Sequence, residues 1–454
     1  MKFKNLCLLL ILGLFISCQT KQKASKKDLG PAKILTEIDA LTTVSEIYDT
    51  YQNSEEFLIK GLFYPANFLS QDFNLWSKEG LYYKTFNIPA DFSIINNYWG
   101  LSYDGIIKAN KALKLLDEMA KDKIISLKLA NRLKAECHFN RGLLYFYLAS
   151  NFGNVPIVKN ISKTDIIKEP KANQEAVFNY VVEELTKAQK GLPFVYAEKE
   201  DLGRSTKGAA LAYLGESYMW LKQYDKAIAS FEQLDSHYKL MPKFLDINAF
   251  KHQNNSESIL EIQFNGNDNL GWGRDNYSTF IQSFTLPTEV GGAGLAFVNP
   301  KYAKSFERSD KRAKATVIGP NQKHPDTSIN ISSYNSVQEK FKGINTLGTR
   351  KNPWLGDDNK RSGYYSVKSW RAPDPNATAS AVFSKANVIL MRYGQVLLDL
   401  AECKFKTGDV KGALTLINKV RKRAGLKSVS STSLMPIILN EYRHELAGEF
   451  SLWY

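Results

Sequence analysis

Cysteine and histidine are scarce in this chain of 454 residues, with four of the first and five of the second. No Cys/His grouping has the spacing of a zinc site, so a zinc-built fold is excluded and no metal or cofactor is expected. Cys7 and Cys18 lie in the N-terminal segment, which leaves Cys137 and Cys403. Each sits on an apolar-patterned helix and reads as a small buried hydrophobe; a bridge between them stays open, because sequence gives no Cα separation. The motifs of common catalytic sites are missing: no His-Glu-x-x-His, no Gly-x-Ser-x-Gly and no phosphate-binding glycine loop. Carboxylate pairs such as Glu183-Glu184 read as a solvated helix face, and His138 and His444 as structural. The chain is therefore not expected to be an enzyme. After the N-terminus no hydrophobic run reaches the about 20 residues needed to span a bilayer.

What is present begins at the first residues. Lys2 and Lys4 precede an apolar run through Leu6, Leu8–Leu12 and Leu14–Ile16, and Ser17-Cys18 follows. This order is that of an export signal over residues 1–17, with Cys18 as lipid acceptor and the mature N-terminus. Residues 18–30 carry Lys21, Lys23, Lys26 and Lys27 and almost nothing apolar, so they read as a lipidated tether. The net charge of +14 could point to nucleic acid. The basic residues are spread along the whole chain, however, and an exported lipoprotein rarely meets DNA, so no nucleic-acid partner is expected.

The strongest architectural pattern is at Gly208–Leu234. Gly215, Tyr218, Tyr224, Ala227 and Phe231 fall at the spacings of a tetratricopeptide (TPR) helical hairpin. Gly215 and Ala227 are the small residues that let two helices approach, and Thr206 is the expected N-cap. A second hairpin is read from about Val388 to Gly425, broken at Gly408, with Asp409 capping its second helix and Gly425 closing it. Further helical periodicities cover Leu41–Phe57, Asn97–Met119, Leu127–Ser150, Gln174–Lys190 and Ser433–Glu449. Ser258–Phe264 alternates like a strand. From Asn265 to about Thr378 the chain is rich in Gly, Asn, Pro, Ser and aromatics, as expected for an irregular subdomain with short strands.

Five blocks, taken together, resemble the SusD/RagB family of Bacteroidetes outer-membrane lipoproteins. They are Tyr98-Trp99 with Tyr103, Ile107, Ala109-Asn110 and Leu113; Ala135-Glu136 with Arg141, Tyr145 and Phe152-Gly153-Asn154-Val155-Pro156; and Thr206-Lys207-Gly208-Ala209-Ala210. The others are Leu390-Met391-Arg392-Tyr393 with Leu397, Ala401-Glu402, Gly408-Asp409, Arg421 and Arg423-Ala424-Gly425, and then Glu441, Arg443, Glu445-Leu446 and Glu449. The resemblance implies a mainly α fold: a TPR helical-hairpin scaffold with an embedded loop-rich, partly β ligand-binding region. Residues 31–454 would then form one domain, with helices over about 40–257 and 387–450 and the insert over about 258–380. It also implies a SusC/RagA-like TonB-dependent outer-membrane barrel as partner, a surface-facing lipid anchor in the outer membrane, and capture of an oligosaccharide or peptide for import. A TPR-type envelope scaffold without small-ligand binding is the competing reading.

Flat aromatic side chains with a single donor suit neutral oligomers. Trp76, Trp272, Tyr277, Trp354 and Trp370 lie in segments without helical pattern and are the candidates for outward presentation. The family's ligand contacts precede the early Trp-containing helix and follow the TPR hairpin, which favours Trp76, Trp272 and Tyr277. Trp99, Trp220 and Trp453 are assigned to packing.

Overall fold

The computed structural model describes residues 35–159, 169–264, 284–287, 292–319, 322–327, 362–369 and 386–451. The signal segment, the tether with Cys18, and Trp272, Tyr277, Trp354, Trp370 and Trp453 lie outside the described residues.

Helix α1 (Glu37–Gln52) starts in a capping box: the Thr36 hydroxyl accepts from the Asp39 N–H, and the Asp39 carboxylate accepts from the Thr36 N–H at 2.8 Å. The periodicity predicted one helix to Phe57, but α1 stops at Gln52. Asn53 ends it because its side chain accepts from the Glu56 N–H at 3.0 Å, capping a new π-helical stretch, Ser54–Phe63. That stretch buries Phe57, Leu58, Ile59, Leu62 and Phe63 and runs into the short helix Tyr64–Phe68.

The long helices follow as α2 (Ser93–Lys121), α3 (Leu127–Phe152), α4 (Gln174–Gly191), α5 (Lys207–Trp220) and α6 (Tyr224–Phe231), then α7 (Tyr393–Lys406), α8 (Val410–Ala424) and α9 (Met435–Leu446). Each of α1 to α6 packs on the next, and α6 packs on α7, so the helical stack continues across the intervening insert. α7 then carries both α8 and α9. No helix among the described residues is long and apolar enough to cross a membrane. The fold is mainly α, as expected.

Local chemistry sets the hairpins. Thr206 caps α5 by accepting from the Ala209 N–H at 3.1 Å. A Cβ on Gly215 would lie 2.3 Å from Cε1 of Phe231, so α5 and α6 can approach only over a glycine. Between α7 and α8, Gly408 takes φ +89° and Asp409 accepts from the Gly412 N–H at 2.8 Å; Gly425 closes α8 at φ +79°.

Among the described residues the strands form four antiparallel pairs: β1 (Phe73–Leu75) with β5 (Ala296–Val298), β2 (Val155–Pro156) with β3 (Lys171–Ala172), β4 (Ser258–Ile262) with β8 (Val388–Arg392), and β6 (Val317–Ile318) with β7 (Tyr365–Ser366). The β4–β8 pair joins the two strands that flank residues 263–387. Here the second hairpin departs from expectation, since Val388–Arg392 is strand and the helix begins at Tyr393. The run Val-Ile-Leu-Met has no period that separates a buried strand from a helix, and its partner strand decides.

Candidate ligand-binding site

Of the aromatics read as ligand-facing, Trp76 is the one among the described residues. It follows β1, and its backbone N–H donates to the Leu295 carbonyl at 2.7 Å. Its indole is half-buried against a small cluster of Leu286, Phe297, Ile318, Tyr365 and Val367. All five come from the insert, so Trp76 ties the segment before α2 to that region. The same segment holds further aromatics that sequence reasoning missed. A short helix, Gly80–Thr85, turns immediately after Trp76 and exposes Leu81. It ends on Phe86, whose backbone is left-handed at φ +53° and whose side chain is 58% exposed. The Asn87 N–H donates back to the Tyr82 carbonyl at 3.0 Å, which locks the turn. Tyr82 itself meets Phe92 edge to face at 5.2 Å. The signal that pointed to Trp76, an aperiodic aromatic stretch ahead of α2, covers Tyr82, Phe86 and Phe92 equally.

The blocks that carry the family resemblance bond to one another in the interior. Arg392 ends β8 and is 1% exposed. It donates to Glu257 and Glu445 at 2.7 Å and to both oxygens of Glu449 at 2.7 and 2.9 Å. Arg423 pairs with Glu445 and, at 3.2 Å, with Glu257. Arg312 joins Asp310, Glu441 and Glu445 at 2.8, 2.8 and 3.2 Å, Arg421 meets Glu441 at 2.6 Å, and Lys368 meets Glu449. Phe244 lies against Lys368, Arg392 and Arg423. Five cations thus face five carboxylates in the interior. Burial raises the Glu445 carboxyl, but Arg423, Arg392 and Arg312 outweigh it and hold the group far below the carboxylate range. Burial pulls the Lys368 ammonium down to about 8, against the opposing pull of Glu449.

The N-terminal blocks behave alike. Arg141 donates to Glu184 at 2.7 Å and to Asn110 at 2.6 Å, and Asn110 donates to the Val158 carbonyl at 3.1 Å. His138 Nδ1 sits 3.0 Å from the same Glu184 oxygen. Glu184 is therefore a buried ion-pair centre, which corrects its reading as solvated; Glu183, with Lys187 at 2.6 Å, fits that reading better. Glu136 accepts from Tyr48 at 2.9 Å and Arg204 at 3.1 Å. His444 is buried with Nε2 2.9 Å from the Ser305 hydroxyl; burial, with Arg312 adding to it, pulls the imidazole down to about 4. Cys137 and Cys403 are buried free thiols, and burial pushes both up. Trp99 packs between Tyr103 and Phe152 at 5.0 Å from each. Trp220 departs from a pure packing role: it stacks on Phe178 yet remains 38% exposed.

Comparison with known proteins matches this chain from both ends. Residues 256–454 match the family described as SusD family, and residues 20–219 match the one described as starch-binding associating with outer membrane. A SusD-like protein of Bacteroides ovatus is 26% identical over 398 residues, 82% of this chain and 66% of that protein, so the chain spans just under two thirds of that relative. SusD-like protein P25 of Formosa agariphila is 26% identical over 385 residues, covering 79% of this chain and 70% of the relative. Among solved structures, surface glycan-binding protein A from Bacteroides thetaiotaomicron superposes with a TM-score of 0.72 at 20% identity, covering 92% of this chain and 88% of that one. A laminarin-binding SusD-like protein gives 0.71 at 21%, covering 92% and 90%. With a scaffold held together by the residues of the five blocks, and with matches at both ends of the chain, the protein belongs to the SusD/RagB family.

Proposed function

We propose that this protein is an outer-membrane lipoprotein that binds oligosaccharides and passes them to a SusC-like TonB-dependent barrel. The observation that carries the reading is Phe86. A bulky residue in the left-handed region costs backbone energy that glycine would avoid, and Phe86 is 58% exposed in the same segment that holds Trp76. A flat apolar face at such a turn suits the face of a sugar ring. Solved relatives named as glycan-binding and laminarin-binding support a carbohydrate over a peptide. A family described as associating with the outer membrane supports the location, and acylation of Cys18 would supply the anchor. Trp272, Tyr277 and Trp354 are assigned to the same ligand surface as Trp76 on the sequence argument alone. The test is deletion of the gene followed by growth on single oligosaccharides as sole carbon source. Slowed growth on at least one glycan, restored by the wild-type gene and not by Cys18→Ala, is expected; growth unchanged on every glycan would refute the transport role.

A further inference from the structure

A second site lies away from the aromatic segment, where α5, α7 and α9 meet around a cavity of about 260 Å³. Three carboxylates line it: Glu216 from α5, and Asp399 and Glu402 from α7. Tyr442 of α9 donates to Asp399 Oδ1 at 2.7 Å, and Gln395 donates to Glu216. Asp399 is 4% exposed, and its second oxygen, Oδ2, is buried with no hydrogen-bond partner among the described residues. A buried acceptor left in this state is costly and asks for a donor. In the interior cluster around Arg392 every carboxylate meets a cation; here none of the three forms an ion pair among the described residues. Burial pushes Asp399 up to about 8 and Glu216 well above the carboxylate range, the charge of Asp399 adding to the effect on Glu216. The mouth is apolar and partly open, with Trp220 at 38% and Leu439 at 56% exposure.

We propose that this cavity binds an arginine side chain presented by a partner polypeptide, its guanidinium held between Asp399 and Glu216 and the neighbouring residues covering Trp220 and Leu439. Charge complementarity selects a cation. A fork of planar donors reaches acceptors on two different helices, which a point-like ammonium does poorly. The indole of Trp220 offers a face for the same plane. A bare metal ion fits less well, since the described residues contain no His/Cys/Asp/Glu group arranged to hold one. The apolar rim favours a peptide over the free amino acid, which would leave it uncovered.

The site is independent of glycan binding and is tested separately. The full chain is titrated calorimetrically with acetyl-Leu-Arg-Leu-amide and with the same peptide carrying citrulline, which keeps the shape and removes the charge. The arginine peptide is expected to bind at least tenfold tighter, and Asp399→Asn to erase that margin. Affinity should also rise from pH 6 to pH 8, because the Asp399 carboxyl, pushed up to about 8 by burial, must lose its proton; Glu216, Glu402, Lys406 and Tyr442 are the other ionisable groups facing the site. Should Asp399→Asn fail to fold, Leu439→Ala at the exposed rim is expected to weaken the arginine peptide about threefold. Equal binding of the two peptides, or an arginine preference that survives Asp399→Asn, would overturn the proposal. Free arginine amide binding as tightly as the peptide would overturn the polypeptide assignment.

Discussion

Replacing Arg392 with methionine removes one cation from the interior and leaves Glu257, Glu445 and Glu449 facing one another with their main partner gone. The side chain makes five hydrogen bonds, including one to the Glu445 carbonyl at 2.8 Å, and all lie out of contact with water. Breaking a buried ion pair from one side costs about 3–5 kcal/mol, because the remaining charge is uncompensated. Unfolding entropy of about 2.1 cal/mol/K per residue gives about 0.8 kcal/mol/K for a folded chain of roughly 400 residues, so the loss corresponds to about 4–6 °C in Tm. Differential scanning calorimetry at pH 7 reads it directly. The exposed pair Lys134–Asp117, 2.7 Å apart, is the control, and Lys134→Met should move Tm by less than about 1 °C. The double variant Arg392→Met/Glu445→Gln removes one charge of each sign and should recover part of the loss, since residues in one network are not additive. A shift for Arg392→Met no larger than the control would refute the view that this cluster holds the C-terminal helices to the insert.

Three further outcomes follow from the packing and the charges. Gly215→Ala places a methyl group 2.3 Å from the Phe231 ring and should destabilise by about 1–3 kcal/mol, with Phe231→Leu giving partial rescue in the same melting assay. Glu445 is held below its unfolded value of about 4.3, so its contribution is complete above that pH and is lost as pH falls. Tm should therefore drop between pH 5 and pH 3, and drop less in Glu445→Gln. Cys137 and Cys403 should resist a thiol reagent such as DTNB in the native protein and react fully in guanidinium chloride, because both are buried and free.

Elements set by short-range chemistry were readable from the chain. Thr206, Asp409 and Gly425 mark helix ends through bonds to residues within four positions, and Gly215 with Phe231 records a contact inside one hairpin. Elements set by distant partners were not. Val388–Arg392 becomes a strand because Ser258–Ile262 lies beside it. Glu183 and Glu184 are indistinguishable as letters, and only the arrival of Arg141 and His138 from α3 makes Glu184 a buried centre. The candidate site fared similarly. An aperiodic aromatic stretch identified Trp76, yet the exposure of Phe86 depends on a positive φ that no residue preference foretells, since phenylalanine avoids it. The residues that make the family recognisable are mostly those that bond to one another in the interior. They specify the scaffold, and for that reason say little about the ligand.

The most direct test of glycan binding is calorimetric titration of the purified chain with oligosaccharides of different linkage, alongside Phe86→Gly. Glycine suits the left-handed turn at this position, so the variant relieves backbone strain there, and its melting temperature is measured alongside to confirm the fold. At least one oligosaccharide should bind the wild-type protein saturably, and Phe86→Gly should weaken it tenfold or more with the fold intact. No saturable binding to any glycan, or affinity untouched by Phe86→Gly, would contradict the account.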